Sequence, residues 1–356
     1  MNVPRQPKAS STSSRQLELF KLPFTPSSIP FPRTQKRMAT TVLVTGATGL
    51  LGRQVFERFK RSGCLTVGQG FSRANPPTIL KSDLEKEEDI KGLLDEAKPQ
   101  IVIHCAANRF PDLCDKNPEQ ARRVNVDATR ILAELTAERN ILLVYISTDY
   151  VFPGGEGEAP YEADAQTKPP NLYGQLKRDG EEVVLEATKK SGMGLVLRVP
   201  VLYGTANENS ESAVNTLVDS VWKAQDENAG VKMDDWAQRY PTNTEDVARV
   251  LRDIVIKYLK ERGQILKLPK ILQFSSEDRM TKYEICQKFA EILGVPLNGM
   301  IANKEGNDPN ASVQRPYDTH LSTKVLKDLG IDVQTVGFGD WWHKHLETQK
   351  KQGDET

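Results

Sequence analysis

A short run of β-branched and apolar residues, Thr41-Val42-Leu43-Val44, leads directly into TGATGLLG, residues 45–52. Few local patterns restrict a fold so tightly. Gly46, Gly49 and Gly52 stand at GxxGxxG spacing, between a strand and the start of a helix. In that setting one glycine makes a tight turn, another lets backbone N–H groups approach a pyrophosphate, and the third lets the helix pack close to the strand. The strand-turn-helix context makes the triplet a dinucleotide-binding turn.

Downstream of the turn, strand and helix patterns alternate. The periodicity predicts a helix over residues 50–60, a strand over 65–69, a helix over 87–97 and a strand over 101–104. Asn117 is placed to cap the next helix, with Pro118 at its first position and Val124, Ile131, Leu132 and Leu135 at helical spacing. Residues 142–146 are a continuous apolar run, as in parallel strands buried on both faces. Strands separated by helices imply βαβ units, hence an α/β, Rossmann-type doubly wound parallel sheet. Beyond a further strand at 195–197, residues 244–259 form an amphipathic helix, and Thr281 with Glu284 has capping-box spacing before Ile285 and Phe289. These predict a smaller C-terminal α/β substrate-side domain, mainly residues 200–345, within a body spanning 39–345.

The residues after the second strand decide between dinucleotides. About twenty residues past the glycines, an NAD site carries Asp or Glu for the ribose hydroxyls. This chain has Gly70-Phe71-Ser72-Arg73. Arg73 can pair with a 2′-phosphate and Ser72 can donate a hydrogen bond, so the expected cofactor is NADP. Asp83-Leu84 stands where a carboxylate could meet the adenine amino group.

A second constellation carries catalytic chemistry. In NLYGQLK, Tyr173 and Lys177 are four apart and share a helix face. A lysine beside a tyrosine favours the phenolate and is expected to lower the phenol pKa. Such a tyrosine exchanges a proton with substrate during hydride transfer. Thr148, at the end of the 142–146 strand, supplies a hydroxyl for the substrate carbonyl.

Net charge is zero over 356 residues, but residues 1–40 hold seven Lys/Arg against one acid, Glu18. The remainder is mildly acidic, which speaks against nucleic acid as a partner. No apolar run approaches membrane-span length. Cys64, Cys105, Cys114 and Cys286 show no CxxC spacing, and His343 and His345 have no clustered partner, so no disulfide framework or metal site is expected. Residues 1–38 are rich in Ser, Pro and basic residues and read as a disordered tail or as upstream of a start at Met38. A mitochondrial presequence is the weaker alternative, since prolines from Pro4 to Pro32 interrupt a helix. The expected location is cytoplasmic.

Taken together, residues 41–342 resemble an extended short-chain dehydrogenase/reductase. STDYVFPG, PYEAD, NLYGQLKRDGE and QRP are similar to segments of the dTDP-4-dehydrorhamnose reductase group. GATGLLGR, IVIHCAANRFPD, VNVDA, LRVPVLYG, MDDWAQRYPTNTEDVA and MTKYE resemble an offshoot of that group, the regulatory β subunits of methionine adenosyltransferase. WAQRYPT, residues 236–242, is the most telling, because the sugar reductases carry a different version there. The resemblance implies a protein that binds NADP, attaches to the catalytic subunit of methionine adenosyltransferase and tunes S-adenosylmethionine synthesis. The alternative it leaves open is an NADPH-dependent sugar nucleotide reductase. It also implies cofactor contacts. Thr48, Gly49, Leu50 and Leu51 belong to the phosphate turn, and Phe71, Ser72 and Arg73 to the adenosine phosphate. Asp83 and Leu84 flank adenine, Cys105 and Arg109 follow the fourth strand, and Tyr173, Lys177 and Leu202 lie by the nicotinamide. Animal members of the family end in an apolar, aromatic tail implicated in partner contact. Here residues 346–356 are a polar tail, which implies different or weaker docking. Trp341 and Trp342 could anchor an interface or pack with the last helix.

Overall fold

The computed structural model describes Met1, residues 40–308 and residues 310–354. The expected basic tail therefore lies outside the described residues apart from Met1. The first strand, β1 (Thr41–Thr45), shows how the sheet is buried. Successive strand side chains point to opposite faces. Val42 and Val44 join one core with Val55, Phe56 and Phe59 of α1 (Leu50–Arg61). Leu43 joins another with Leu93 and Leu94 of α2 (Glu87–Ala97) and Leu132 of α5 (Ala128–Glu138).

Between these lie β2 (Leu65–Gly70), β3 (Ile79–Lys81), β4 (Ile101–His104), α3 (Pro111–Lys116) and α4 (Pro118–Arg122). Then come β5 (Leu142–Thr148), α6 (Leu172–Ala187), β6 (Gly194–Val199), β7 (Leu202–Tyr203), α7 (Leu217–Lys223), β8 (Val231–Asp234), β9 (Thr242–Asn243) and α8 (Thr244–Lys260). The chain finishes with β10 (Ile271–Gln273), α9 (Lys282–Leu293), β11 (Met300–Asn303), α10 (Lys324–Asp328) and α11 (Phe338–Asp354). The main sheet runs β3-β2-β1-β4-β5-β6-β10, and every pairing is parallel. This is the doubly wound sheet that the alternation predicts. The strand order reverses between β1 and β4, which opens a crevice at the carboxyl ends of the strands.

The predicted helix over 87–97 and strand over 101–104 are found at those bounds. The capping box is also present: Glu284 N–H donates to Thr281 Oγ1 at 3.1 Å, and Thr281 N–H donates to Glu284 Oε2 at 2.7 Å. The 142–146 strand extends to Thr148, which places that hydroxyl on the last rung rather than in a loop. Asn117 departs from expectation. The helix does start at Pro118, but the Asn117 side chain makes no capping bond. Five residues on, the helix widens into a π-helical turn, Arg123–Asp127, before α5 resumes. Asn125 in that turn is buried, accepting from Asn108 N–H at 2.7 Å and donating to Asn108 O at 2.9 Å.

Residues 39–356 form one compact unit. Within it the stretch 200–345 serves two layers. α8 packs beside α1 on the main sheet, and β10 is that sheet's edge strand. The remainder, with the small parallel pair β8–β11, builds a separate core of Tyr203, Val221, Phe289, Phe338 and Trp342. Trp342 is 1% exposed, with its ring 4.6 Å from that of Phe289. It packs inward rather than anchoring an interface. Trp341 stacks on His345 at 4.5 Å, and α11 continues through Asp354 into the polar terminal segment. No helix among the described residues is long and apolar enough to cross a membrane.

One buried ion pair ties the layers together beneath the carboxyl end of the sheet. Arg198 on β6 and Glu181 on α6 have side chains 3% and 4% exposed. Arg198 donates from Nη2 to Glu181 Oε2 at 2.7 Å and from Nε to Oε1 at 2.9 Å. Its Nη1 reaches Ala163 O at 3.1 Å and Gln273 Oε1 on β10 at 3.3 Å, while Ser147 Oγ donates to Glu181 Oε1 at 2.5 Å. Removing one partner strands a charge that burial prevents water from compensating. Arg198→Met should therefore cost about 3–5 kcal/mol of unfolding free energy, read from urea denaturation. A loss under about 1 kcal/mol would show that the pair is not an essential tie.

Candidate active site and dinucleotide cleft

The crevice at the strand ends is a cleft of about 590 Å³. Every site residue expected from the sequence lines it. The turn is built by close backbone approach. Gly46 has φ +63°, and a Cβ there would lie 2.8 Å from Ala106 N. A Cβ on Gly52 would lie 2.1 Å from Gly46 O, so α1 can begin where it does only because that position is glycine. Gly49 N–H donates back to Gly46 O at 2.9 Å, and Thr48, Leu50 and Leu51 complete the turn against the cleft. Sequence reasoning missed the residue that pins this turn. Gln69, 3% exposed at the end of β2, accepts from Gly46 N–H at 2.9 Å and donates to Ser82 O at 2.8 Å. Its only sequence signal is a polar residue ending a buried strand.

Phe71, Ser72 and Arg73 follow β2 on the rim, all exposed. Arg73 is ion-paired with Glu211. Asp83 and Leu84 follow β3, and the Asp83 carboxylate accepts from Glu85 N–H at 3.1 Å. Arg109 lies over the Phe110 ring at 4.1 Å. Cys105 is half-buried beyond β4, and burial pushes its thiol up to about 12, which keeps it protonated at neutral pH. His104 beside it has a structural role. It bridges Thr45 Oγ1 at 2.7 Å and Thr129 Oγ1 at 3.1 Å, and burial, aided by Lys177, pushes its pKa down to about 3.

The candidate catalytic set, Thr148, Tyr173 and Lys177, stands on β5 and α6. Asn171 caps α6 by accepting from Gly174 N–H at 3.0 Å, which fixes the turn carrying Tyr173. Thr148 is 6% exposed and donates to Asp149 Oδ1 at 3.0 Å, and Thr319 Oγ1 donates to Asp149 Oδ2 at 2.6 Å. The expected lowering of the Tyr173 pKa is not found. Burial pushes the phenol well up; only its hydrogen bond with Thr148 pulls the other way, and Asp149 raises it further. Lys177 instead places its Nζ over the Tyr145 ring, 4.0 Å from the centroid. Burial pulls Lys177 down to about 7, against the opposing pull of Glu181. Tyr173 is thus a neutral phenol beside Thr148, and Lys177 is an amine whose charged form burial disfavours.

No WAQRYPT residue lines the cleft itself, but Arg239 lies 5.9 Å from the ring centroid of Tyr150, which does. Trp236 packs on Tyr317 with ring centroids 5.1 Å apart. Arg239 Nη1 donates to Gln238 O at 2.9 Å and Pro316 O at 3.1 Å, which joins this segment to QRP. Among the described residues no group of three or more His, Cys, Asp or Glu is placed to hold a metal ion.

A strand-turn-helix cradle, a switch-point crevice and a Thr-Tyr-Lys set on β5 and α6 define the extended short-chain dehydrogenase/reductase class of Rossmann proteins. Within it the chain belongs to the RmlD substrate binding domain family, whose profile matches residues 40–341. It is 38% identical over 294 residues to methionine adenosyltransferase 2 subunit beta of Mus musculus, covering 83% of this chain and 84% of that protein. It is 32% identical over 252 residues to a probable dTDP-4,6-dihydroxy-2-methyloxan-3-one 4-ketoreductase of Streptomyces antibioticus, covering 70% and 76%. Its fold matches the dTDP-4-dehydrorhamnose reductase of Bacillus anthracis, solved with NADP, at TM-score 0.69 and 22% identity, over 86% of this chain and 98% of that one. Both resemblances drawn from the sequence motifs are thereby upheld.

Lys177 gives a pH test. Its folded value of about 7 lies below the ordinary 10.5. Between those values the unfolded chain binds a proton that the folded chain has released, so stability rises with pH there, and the cost of the buried charge is full below pH 7. Lys177→Met should raise the urea midpoint at pH 6, with a gain that shrinks as pH approaches 10. A gain independent of pH would refute the shifted ammonium.

Proposed function

We propose that this chain is an NADP-binding regulatory subunit of methionine adenosyltransferase, modulating S-adenosylmethionine synthesis from methionine and ATP. The similarity to the mouse β subunit carries this reading, because it spans 84% of that protein rather than the dinucleotide half alone. The cleft supports the cofactor. Its turn excludes any Cβ at Gly52, and the end of β2 offers Arg73 where an NAD site would offer a carboxylate. Gly46 to Gly52 would hold the pyrophosphate, Ser72 and Arg73 the 2′-phosphate, and Asp83 and Leu84 the adenine edge. Cys105, Arg109, Leu202, Tyr173 and Lys177 would line the rest. When bound, the reduced nicotinamide supplies a hydride. A ligand held without turnover still stabilises the fold by mass action. The same reading places the protein in the cytoplasm, where its four free cysteines fit a reducing compartment.

The second reading is an NADPH-dependent reductase of nucleotide-linked 4-keto sugars. Thr148, Tyr173 and Lys177 all line the cleft, which favours it. There Tyr173 and Thr148 would hydrogen-bond the carbonyl oxygen, and Tyr173 would deliver the proton.

Two assays separate the readings. The chain should co-purify with the catalytic subunit of methionine adenosyltransferase and change its methionine dependence, and it should oxidise NADPH with dTDP-4-dehydrorhamnose slowly or not at all. Rapid turnover without co-purification would establish the reductase instead. For the cofactor, Arg73→Ala should weaken NADP by about 10- to 100-fold, the size of a lost charge-assisted bond, and NAD far less. Equal weakening of both would refute the 2′-phosphate role.

A further inference from the structure

Glu211 lies between β7 and α7, in the second half of the chain, yet two arginines of the first half hold its carboxylate. Arg53, on α1, brings Nη2 to 2.8 Å from Oε2. The same Nη2 donates to Thr48 O at 3.0 Å, and Nη1 donates to Thr205 O at 3.3 Å. Arg73, after β2, donates to Glu211 Oε1, and Asn207 N–H donates to Oε2 at 3.2 Å. The Glu211 and Arg53 side chains are 12% and 19% exposed, whereas that of Arg73 is 50% exposed. Burial pushes the Glu211 carboxyl up, but Arg73, Asn207 N–H and Arg53 outweigh it and hold it below its ordinary value. Of these charged groups only Arg73 also lines the cleft. Two guanidiniums serve one carboxylate, and Arg109 feels both Glu211 and Arg73. The rim thus has positive charge to spare for an anion, and Arg53 with Asn207 can retain Glu211 if Arg73 turns away.

We propose that Glu211 is the internal competitor of the cofactor's 2′-phosphate at Arg73, and so sets how strongly the cleft prefers NADP over NAD. The proposal rests on the NADP reading above. A 2′-phosphate carries roughly −1.5 to −2 charges and cannot share one guanidinium with a carboxylate without like-charge repulsion. NADP therefore takes Arg73 from Glu211, while NAD leaves the ion pair in place. The exchange also removes one tie between the dinucleotide half and the segment after β7, leaving the Arg53 ties.

Calorimetric titration of the full-length chain with NADP and with NAD tests this. Glu211→Gln should tighten NADP about tenfold and leave NAD within about twofold. In an Arg73→Ala background the gain should vanish, because the competition acts through Arg73. If Glu211→Gln does not fold, Glu211→Asp, with a shorter reach, should shift NADP in the same direction by less. Equal shifts for both dinucleotides, no shift, or an undiminished gain in the Arg73→Ala background would overturn the proposal. A wild-type chain that binds neither dinucleotide would overturn the cofactor reading itself, an outcome distinct from NADP binding that is insensitive to residue 211.

Discussion

A parallel sheet must be covered on both faces, and the rest of this molecule depends on that requirement. Alternate residues of β1, β5 and β6 enter opposite cores, so the crossings from strand to strand carry covering helices, the short β2–β3 connection excepted. Right-handed crossings then gather all strand carboxyl ends on one edge. The reversal of order between β1 and β4 leaves a crevice on that edge, and Gly46 and Gly52 let α1 start close against it. The cleft is therefore a consequence of how the sheet is buried. The Arg198–Glu181 pair lies just beneath it, holding β6, α6, β5 and β10 in one arrangement. Thr148 and Tyr173 stand on two of those elements, so their spacing depends on that buried charge pair as well as on their own backbone.

The features legible in the sequence are those that local chemistry decides. The glycine turn is readable because its three glycines stand within eight residues, although Gly46 is also crowded by Ala106 far along the chain. The α9 capping box is readable because its donors and acceptors are three residues apart. Strand and helix periods identified the sheet for the same reason. The illegible parts depend on partners far along the chain. Gln69 pins a turn 23 residues away. Glu211 meets Arg53 across 158 positions and Arg73 across 138, and a charged residue carries no sign of where its partner lies. The π-helical turn at Asn125 likewise answers to Asn108, which a helical repeat does not reveal.

Tyr173 and Lys177 show the limit most clearly. Their spacing is local, and both line the cleft as expected. Their proton affinities are set by burial. The spacing rule predicts a lysine that acidifies its neighbour, whereas the aromatic ring of Tyr145, from β5, receives the ammonium. Desolvation then works on the two groups in opposite senses. It disfavours the charged form of each, raising the phenol and lowering the amine. A motif fixes which groups meet, while the dielectric around them fixes their charge.

That distinction bears on whether the dinucleotide is held or spent. A hydroxyl and an ammonium that could move a proton can equally hydrogen-bond a ribose, so an intact Thr148-Tyr173-Lys177 set is compatible with either role. The glycine turn is equally neutral, because cradling a pyrophosphate precedes any reaction. Discrimination has to come from the substrate-side segments beyond the cleft lining. There WAQRYPT is fastened to the QRP segment by Arg239 and by the Trp236–Tyr317 contact. WAQRYPT is the motif that most separates the β subunits from the sugar reductases, whereas QRP is shared with the reductase group. Binding energy realised in the ground state alone stabilises a complex and does not accelerate chemistry. On the regulatory reading proposed above, a dinucleotide held in the cleft would stabilise the folded chain that a partner subunit meets.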